Sequence, residues 1–379
     1  MLAKTPPMGF NTWNTFGDRI DETLIRESAD AMIGTGLAAA GYEYLVIDDC
    51  WSEYLRDPQT HRIVANHRKF PNGMKVVADY VHSRGLKFGM YSCNGVRTCA
   101  DYPASFGHEF LDAETFASWG VDYLKYDNCY RPATANMRML YARMGMALRA
   151  SGREILFSAC NWGQEDSWDW MRACGAHMYR STGDIFDNAA SYRNIAVSQI
   201  PHLNASAPGC FNDMDMLTVG MYGNGLVGTT GCGDADYRSQ FALWCLFSSP
   251  LMLGCDIRKM SPFIHDLVTN RELIAINQDE EARPPIFLSD SNPQCPGDRI
   301  ICLKFLSGGD YALGLFNISE EDKELHVLFE DAGLPFDSGY GLRLQNVFTG
   351  EDAGFFREYF RVKVPAHDCA IYRARLARS

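Results

Sequence analysis

Lys125 and Asp127 stand two residues apart in the run Val121-Asp122-Tyr123-Leu124-Lys125-Tyr126-Asp127-Asn128-Cys129. The run reads as a buried β-strand, and on a strand residues i and i+2 share a face. A cation beside a carboxylate keeps it ionised, as a nucleophile requires. A structural ion pair at a strand end carries the same signature, so the pair gains meaning only from its company. That company is extensive. Trp13, Asp48, Asp49, Tyr91, Arg180, Asp184, Asp213 and Asp215 also sit at or just past the ends of apolar runs. One such residue is an ordinary helix cap or turn, but the same placement after several runs points to a shared site. Carboxylates accept hydrogen bonds from hydroxyls, Lys and Arg donate them, and Trp packs on the apolar face of a ring. The set suits a neutral polyol, and two carboxylates flanking a glycosidic bond would cleave it.

The elements that must position these residues alternate. Apolar runs at Gly9–Trp13, Tyr44–Ile47, Leu86–Tyr91, Val121–Asp127, Glu154–Ser158, His177–Arg180, Gly209–Asn212 and Pro250–Gly254 are separated by stretches with helical spacing. Leu24, Ile25, Ala29, Met32, Ile33 and Leu37, behind a capping Asp21, set the helical pattern. Eight such units over this length predict a (β/α)8 TIM barrel over residues 1–282, with its active site at the C-terminal strand ends. His177 falls within a strand and reads as a core residue. The glycine-rich stretch Gly223 to Gly233 lacks the strand–loop–helix spacing of a phosphate loop and reads as a barrel loop. Arg283-Pro284-Pro285 then breaks the pattern. Short β runs without helices (Ile300–Phe305, Tyr311–Phe316, Glu324–Phe329, Leu342–Val347, Arg361–Val364) predict a small antiparallel β-sandwich over 283–379. Asn317, His367 and Asp368 read there as turn and surface residues.

Composition narrows the partners. A formal charge of −12 in 379 residues argues against nucleic acid and anionic membranes. No stretch has the 18 or more apolar residues of a spanning helix. Met1 to Met8 contains no apolar signal core, which implies a cytoplasmic protein, or a secreted one if a leader was removed. The thirteen cysteines are an odd count, scattered without zinc spacing, and imply mostly buried free thiols. Nothing in the sequence sets the oligomeric state.

Several motifs then fall in one order: Thr5-Pro6-Pro7-Met8-Gly9, Tyr44 to Trp51, Thr98-Cys99-Ala100, Trp119 to Asp127, Asn212 to Leu217 and Ile274 to Asp279. On these the chain resembles glycoside hydrolase family 27, the α-galactosidases and α-N-acetylgalactosaminidases. The resemblance spans the barrel, and the β domain is similar in size and place. It implies an exo-acting, retaining α-galactosidase acting on galactosides by double displacement. Asp127 would be the nucleophile and Asp184 the acid/base, about 5 Å apart. Asp184 would then need a raised pKa, and Asp127 the charge of Lys125. By the same resemblance Asp48 and Asp49 would hold the C4 and C6 hydroxyls, and Lys125, Arg180 and Asp215 other ring hydroxyls. Trp13 and Tyr91 would line the pocket, and Cys99 and Cys129 would form a disulfide beside the nucleophile. The mechanism implies no cofactor and no metal.

The departures mark where specificity is open. Asn161 follows Cys160 where α-galactosidases of the family often carry glutamate; it can still bond a 2-hydroxyl. Cys93 replaces a frequent aspartate, implying a changed pocket rim. Cys50 lacks the partner it has in secreted relatives. A β-L-arabinopyranosidase or an α-N-acetylgalactosaminidase of the same family is the alternative, with the Asp48-Asp49 pair favouring galactose. Two remoter readings are a Schiff-base aldolase using Lys125 and a non-catalytic galactose-binding protein.

Overall fold

In the computed structural model, which describes residues 2–288 and 297–378, eight short strands form one parallel sheet. They are β1 Met8–Asn11, β2 Tyr44–Val46, β3 Lys87–Cys93, β4 Tyr123–Asp127, β5 Leu156–Cys160, β6 Met178–Arg180, β7 Phe211–Asp213 and β8 Leu251–Leu253. Their order is β7-β6-β5-β4-β3-β2-β1-β8. Strands buried on both faces need side chains inside the curl and helices outside it. Tyr44, Val46, Tyr123, Leu156, Met178, Met216 and Met252 fill the interior.

Closure happens at the mouth. β1 pairs with β8, but β7 ends at Asp213 and the chain bends at Asp215, whose φ is 85°. Leu217 then re-enters the ladder, donating to the Met252 carbonyl at 2.8 Å and accepting from the Gly254 N–H at 3.0 Å. The seam therefore lies where the polar strand ends gather, and the bend that makes it carries two carboxylates.

The C-terminal part is a two-sheet β-sandwich. Its strands are β9 Ile286–Phe287, β10 Arg299–Phe305, β11 Tyr311–Asn317, β12 Lys323–Leu328, β13 Tyr340–Asn346, β14 Asp352–Phe356, β15 Tyr359–Val364 and β16 Cys369–Arg378. Six pair in the order β14-β13-β16-β11-β10-β9, and β12 pairs with β15. Leu303, Leu313, Leu325, Val327 and Phe360 meet in the core between them. The strip β16, absent from the sequence expectation, is central to the large sheet.

Three residues expected at the surface instead work inside. The Asn317 amide donates to the carbonyls of Glu321, Val364 and Pro365. Asp368 pairs with Arg238 at 2.5 Å, and His367 contacts Asp236 at 3.1 Å, both on helix Asp234–Leu246 of the barrel. Lys304 is wholly buried at the same junction, donating to Ser248 Oγ (2.6 Å) and the Ile276 carbonyl (2.8 Å). Burial pulls its amine down to about 8. These contacts fix the sandwich on the barrel.

Ten cysteines are free and buried, Cys50 among them; Cys99 is joined to Cys129, and Cys295 lies outside the described residues. His177 precedes β6 at the end away from the mouth, its Nδ1 accepting from the Phe157 N–H at 2.9 Å. Among the described residues no helix is long and apolar enough to cross a membrane.

Gly95 couples the loops that end β3 and β4. A Cβ there would lie 1.9 Å from the Cys129 carbonyl oxygen, in a turn where Asn94 donates to the Asp127 carbonyl at 2.9 Å. Neither loop can move without dragging Asp127 or the Cys99–Cys129 link. Gly95→Ala is therefore expected to lose about 1–3 kcal/mol of stability through overpacking. Urea unfolding checks this; an unchanged midpoint would contradict the packing described.

Candidate active site

Strand register sets the site. Tyr91 pairs with Lys125, Cys93 with Asp127, Lys125 with Ser158, and Cys160 with Arg180. Side chains of four adjacent strands thus reach one level. Above it opens a cavity of about 330 Å³ lined by Trp13, Asp48, Asp49, Tyr91, Lys125, Asp127, Arg180, Asp184 and Asp215. Cys99 and Cys129 border it as well. A cavity of this size, closed below by the barrel interior, suits one small polar ring.

Lys125 does not bond the carboxylate nearest to it in sequence. Its Nζ pairs with Asp48 Oδ2 at 2.8 Å, across two strands, and also lies 5.3 Å from the centre of the Tyr91 ring. Asp48 is further held by the Asn11 amide (2.8 Å) and accepts from the Asp49 N–H (2.9 Å). Burial works against the ammonium, but the charges of Asp48 and Asp127 outweigh it and hold Lys125 protonated well above its ordinary value. A lysine held as the ammonium opposes the free amine that Schiff-base chemistry requires.

Asp127 is bonded by its neighbour's N–H (Asn128, 2.9 Å) and by the Tyr91 hydroxyl at 3.3 Å. Burial raises its pKa above the ordinary carboxylate value, partly offset by the charges of Lys125 and Arg180. Asp49 accepts from the N–H groups of Cys50 (2.7 Å) and Ala100 (3.0 Å). Even so, burial pushes it up to about 6.

Arg180 organises the other wall. It is buried, and it bonds Asp184 Oδ1 at 2.5 Å, Asp215 Oδ1 at 3.1 Å and the Thr182 carbonyl at 3.1 Å. Asp215 in turn accepts from the N–H groups of Ile185 (2.8 Å) and Met216 (2.6 Å), while its own carbonyl takes the Trp244 indole N–H at 2.9 Å. Asp215 thereby fixes the loop that presents Asp184. Burial tends to raise Asp184, but the charge and hydrogen bond of Arg180 prevail and leave its pKa below the ordinary value. This corrects the expectation of a raised Asp184. The sequence placed Arg180 nearby without indicating that it would bond this carboxylate directly.

Three residues that the sequence places at the site, Asn161, Cys93 and Asp213, do not reach the cavity. Asn161 is fully buried, its amide donating to the Gln164 carbonyl at 2.6 Å; the turn that follows, with Trp162 at φ 58°, directs Trp162 into the cavity instead. The binding role expected for Asn161 is corrected on that ground. Cys93 is likewise buried, with Sγ 3.1 Å from the Cys129 carbonyl, and forms no part of the rim. Asp213 lies in the layer beneath, beside Cys160 and Met252. Conversely, Asn14, Trp162, Phe186, Met216, Leu226 and Val227 border the cavity unannounced. Leu226 and Val227 come from the glycine-rich loop, where the Leu226 N–H donates to the Asn14 carbonyl at 2.7 Å. Among the described residues one trio, Cys99, Asp127 and Cys129, is close enough to share a metal ion, but a disulfide withholds both thiolates.

Comparisons agree on one family. A family model described as "Alpha galactosidase A" matches residues 5–279, and one described as "Alpha galactosidase C-terminal beta sandwich domain" matches 296–374. Alpha-galactosidase 2 of Arabidopsis thaliana is 49% identical over 372 residues, covering 98% of this chain and 89% of the relative. The alpha-galactosidase of Cyamopsis tetragonoloba is 42% identical, covering 98% and 86%. A solved α-galactosidase from Saccharomyces cerevisiae with raffinose superposes with a TM-score of 0.88 at 28% identity, over 99% of this chain and 98% of that one.

Six carboxylates (Asp48, Asp49, Asp127, Asp184, Asp213, Asp215) face two cations here, so some must carry a cost when ionised. Burial and the charge of Asp215 push Asp213 up to about 6. Above that pH the folded state bears a charge that the unfolded chain solvates freely; below the unfolded value of 3.8 it does not. Asp213→Asn keeps an oxygen for the Asp215 N–H (3.0 Å) and should stabilise the protein by about 1–3 kcal/mol at pH 8. The gain should vanish near pH 4. Denaturation at the two pH values checks this, and a destabilised variant at pH 8 would contradict it.

Proposed function

The chain belongs to glycoside hydrolase family 27, the α-galactosidase family, and from that membership we propose that it removes terminal α-linked galactose with retention, using Asp127 and Asp184. One observation carries the assignment of roles: the two carboxylates border one cavity in opposite settings, Asp127 buried and Asp184 largely exposed on its loop. The nucleophile works from the floor and the acid/base from the entrance, where the leaving group must depart.

The environment supplies the rest. A desolvated carboxylate is a strong nucleophile provided that its charge survives, and Lys125, Arg180 and the Asn128 N–H sustain the charge of Asp127. Asp184 is tied to Arg180. The glycosidic oxygen entering beside it displaces that contact, and Asp184, freed of the guanidinium, takes up a proton from solvent and holds it against that oxygen. Attack of Asp127 on the anomeric carbon forms an ester as the C1–O glycosidic bond breaks and Asp184 passes its proton to the departing oxygen, so one buried anion is neutralised. With Lys125 and Arg180 facing less negative charge, Asp184 is more acidic and serves as base for the incoming water.

Asp48 and Asp49 are fixed by Lys125, Asn11 and the loop N–H groups, yet each carboxylate retains lone pairs for a hydroxyl. In this reading they receive the C4 and C6 hydroxyls, with Trp13 and Trp162 as apolar walls. Galactose is favoured over N-acetylgalactosamine and L-arabinopyranose because the relatives at 42% and 49% identity are α-galactosidases. We place the division between barrel and sandwich at residues 282 and 283, between helix Arg271–Asn277 and β9.

Rates on aryl α-galactoside, aryl α-N-acetylgalactosaminide and aryl β-L-arabinopyranoside, measured side by side, test the reading. The α-galactoside should be fastest, its first-formed product α-galactose by NMR, and Asp127→Asn should lose at least about 10³-fold. Faster cleavage of either other glycoside would move the specificity, and β-galactose as first product would overturn the mechanism.

A further inference from the structure

Asp187 lies three residues past Asp184, fully buried, and takes no part in the chemistry above. Its carboxylate accepts from the Gly223 N–H at 2.6 Å and from the Tyr237 hydroxyl at 3.0 and 3.1 Å. Its backbone is engaged on the same glycine-rich loop. The Asp187 N–H donates to the Val227 carbonyl at 3.0 Å, and its carbonyl accepts from the Gly231 N–H at 3.0 Å and the Thr229 hydroxyl at 2.9 Å. Residues 223 to 231 thus form an arc whose two ends both close on Asp187. The closure requires glycine: a Cβ at Gly228 would lie 2.3 Å from the Gly223 carbonyl oxygen, and one at Gly231 2.8 Å from the Gly223 nitrogen. The middle of the arc is Leu226 and Val227, which border the catalytic cavity. Asp184 has a matching need. Among the described residues its side chain hydrogen-bonds only Arg180, so a substrate that displaces this contact leaves the carboxyl held by its backbone. Two buried carboxylates anchor that backbone, Asp215 through the Ile185 N–H in front and Asp187 behind.

We propose that Asp187 is a positioning residue for the acid: it locks the chain that carries Asp184 to the Leu226–Val227 wall, and so keeps the proton donor aimed at the glycosidic oxygen once Arg180 has been displaced. The proposal rests on the α-galactosidase reading. Asp187 touches no substrate and acts only through the backbone from 184 to 187. A shift of about 1 Å in a catalytic group can cost on the order of 10²-fold in rate. A misplaced acid also fails selectively. An alkoxide leaving group needs its proton as the bond breaks, whereas a nitrophenolate departs without one.

The test compares kcat/KM for methyl α-galactoside with kcat/KM for 2,4-dinitrophenyl α-galactoside. In Asp187→Ala the methyl-to-dinitrophenyl ratio should fall at least about tenfold, part of what a general acid contributes. A simple loss of folded enzyme would lower both rates alike and leave the ratio unmoved. Asp187→Asn, which keeps an oxygen for the Gly223 N–H, should restore most of it. Thr229→Val, an exposed substitution that removes one bond to the Asp187 carbonyl, should lower the same ratio about two- to threefold and decides the matter if Asp187→Ala does not fold. A ratio unchanged in Thr229→Val and in any folded Asp187→Ala would overturn the positioning role. Absence of hydrolysis of both glycosides by the unaltered enzyme would instead overturn the α-galactosidase reading.

Discussion

Two buried cations hold the mouth of this barrel together. Lys125 reaches across two strands to Asp48, and Arg180 bonds both Asp184 and Asp215, so carboxylates from β2, β6 and β7 share the positive charge of β4 and β6. Removing one partner from such a set leaves an uncompensated buried charge, a far larger cost than losing a surface pair. The fold can carry this many acids at one end only because the cations sit at its centre. The same arrangement offsets part of what burial costs the Asp127 carboxylate and ties Asp184 to Arg180.

Backbone strain works in the same service. Cys50, Tyr130, Trp162 and Asp215, none of them glycine, all adopt positive φ just beyond strands that bear site residues. Each such turn costs about 1–3 kcal/mol and persists only where the surroundings over-determine it. At Asp215 the means are visible: its side chain takes two backbone N–H groups, and its carbonyl takes the buried Trp244 indole. The bend places the carboxylate under the Asp184 loop and lets Leu217 rejoin β8, so barrel closure and acid placement depend on one residue. The Cys99–Cys129 link and the close approach at Gly95 do similar work behind Asp127.

Much of this was legible in the sequence, for a physical reason. Parallel strands are apolar on both faces, so a polar residue at their ends stands out, and Asp48, Asp127, Arg180, Asp184 and Asp215 were found that way. Pairings across the barrel were not. The i, i+2 rule puts Lys125 and Asp127 on one face but says nothing of β2, which supplies the actual partner, Asp48. Asn161 and Trp162 illustrate a second limit. Both follow a strand, and only the left-handed turn at Trp162 decides which one enters the cavity. Leu226 and Val227 lie in a loop whose composition signals flexibility, not destination. β16 was not among the sequence-predicted strands: its apolar alternation is broken by Arg373 and Arg375, which share one face of a central strand and pair with Asp310.

The central claim is that Asp127, and not another of the six acids, bonds to the sugar. Incubation with 5-fluoro-α-galactosyl fluoride, followed by proteolysis and mass spectrometry, tests it directly, because the fluorine slows hydrolysis of the glycosyl-enzyme. The account predicts time-dependent inactivation and a fluorogalactosyl ester on the peptide containing Asp127. An ester on Asp184, Asp215 or any other carboxylate would contradict it.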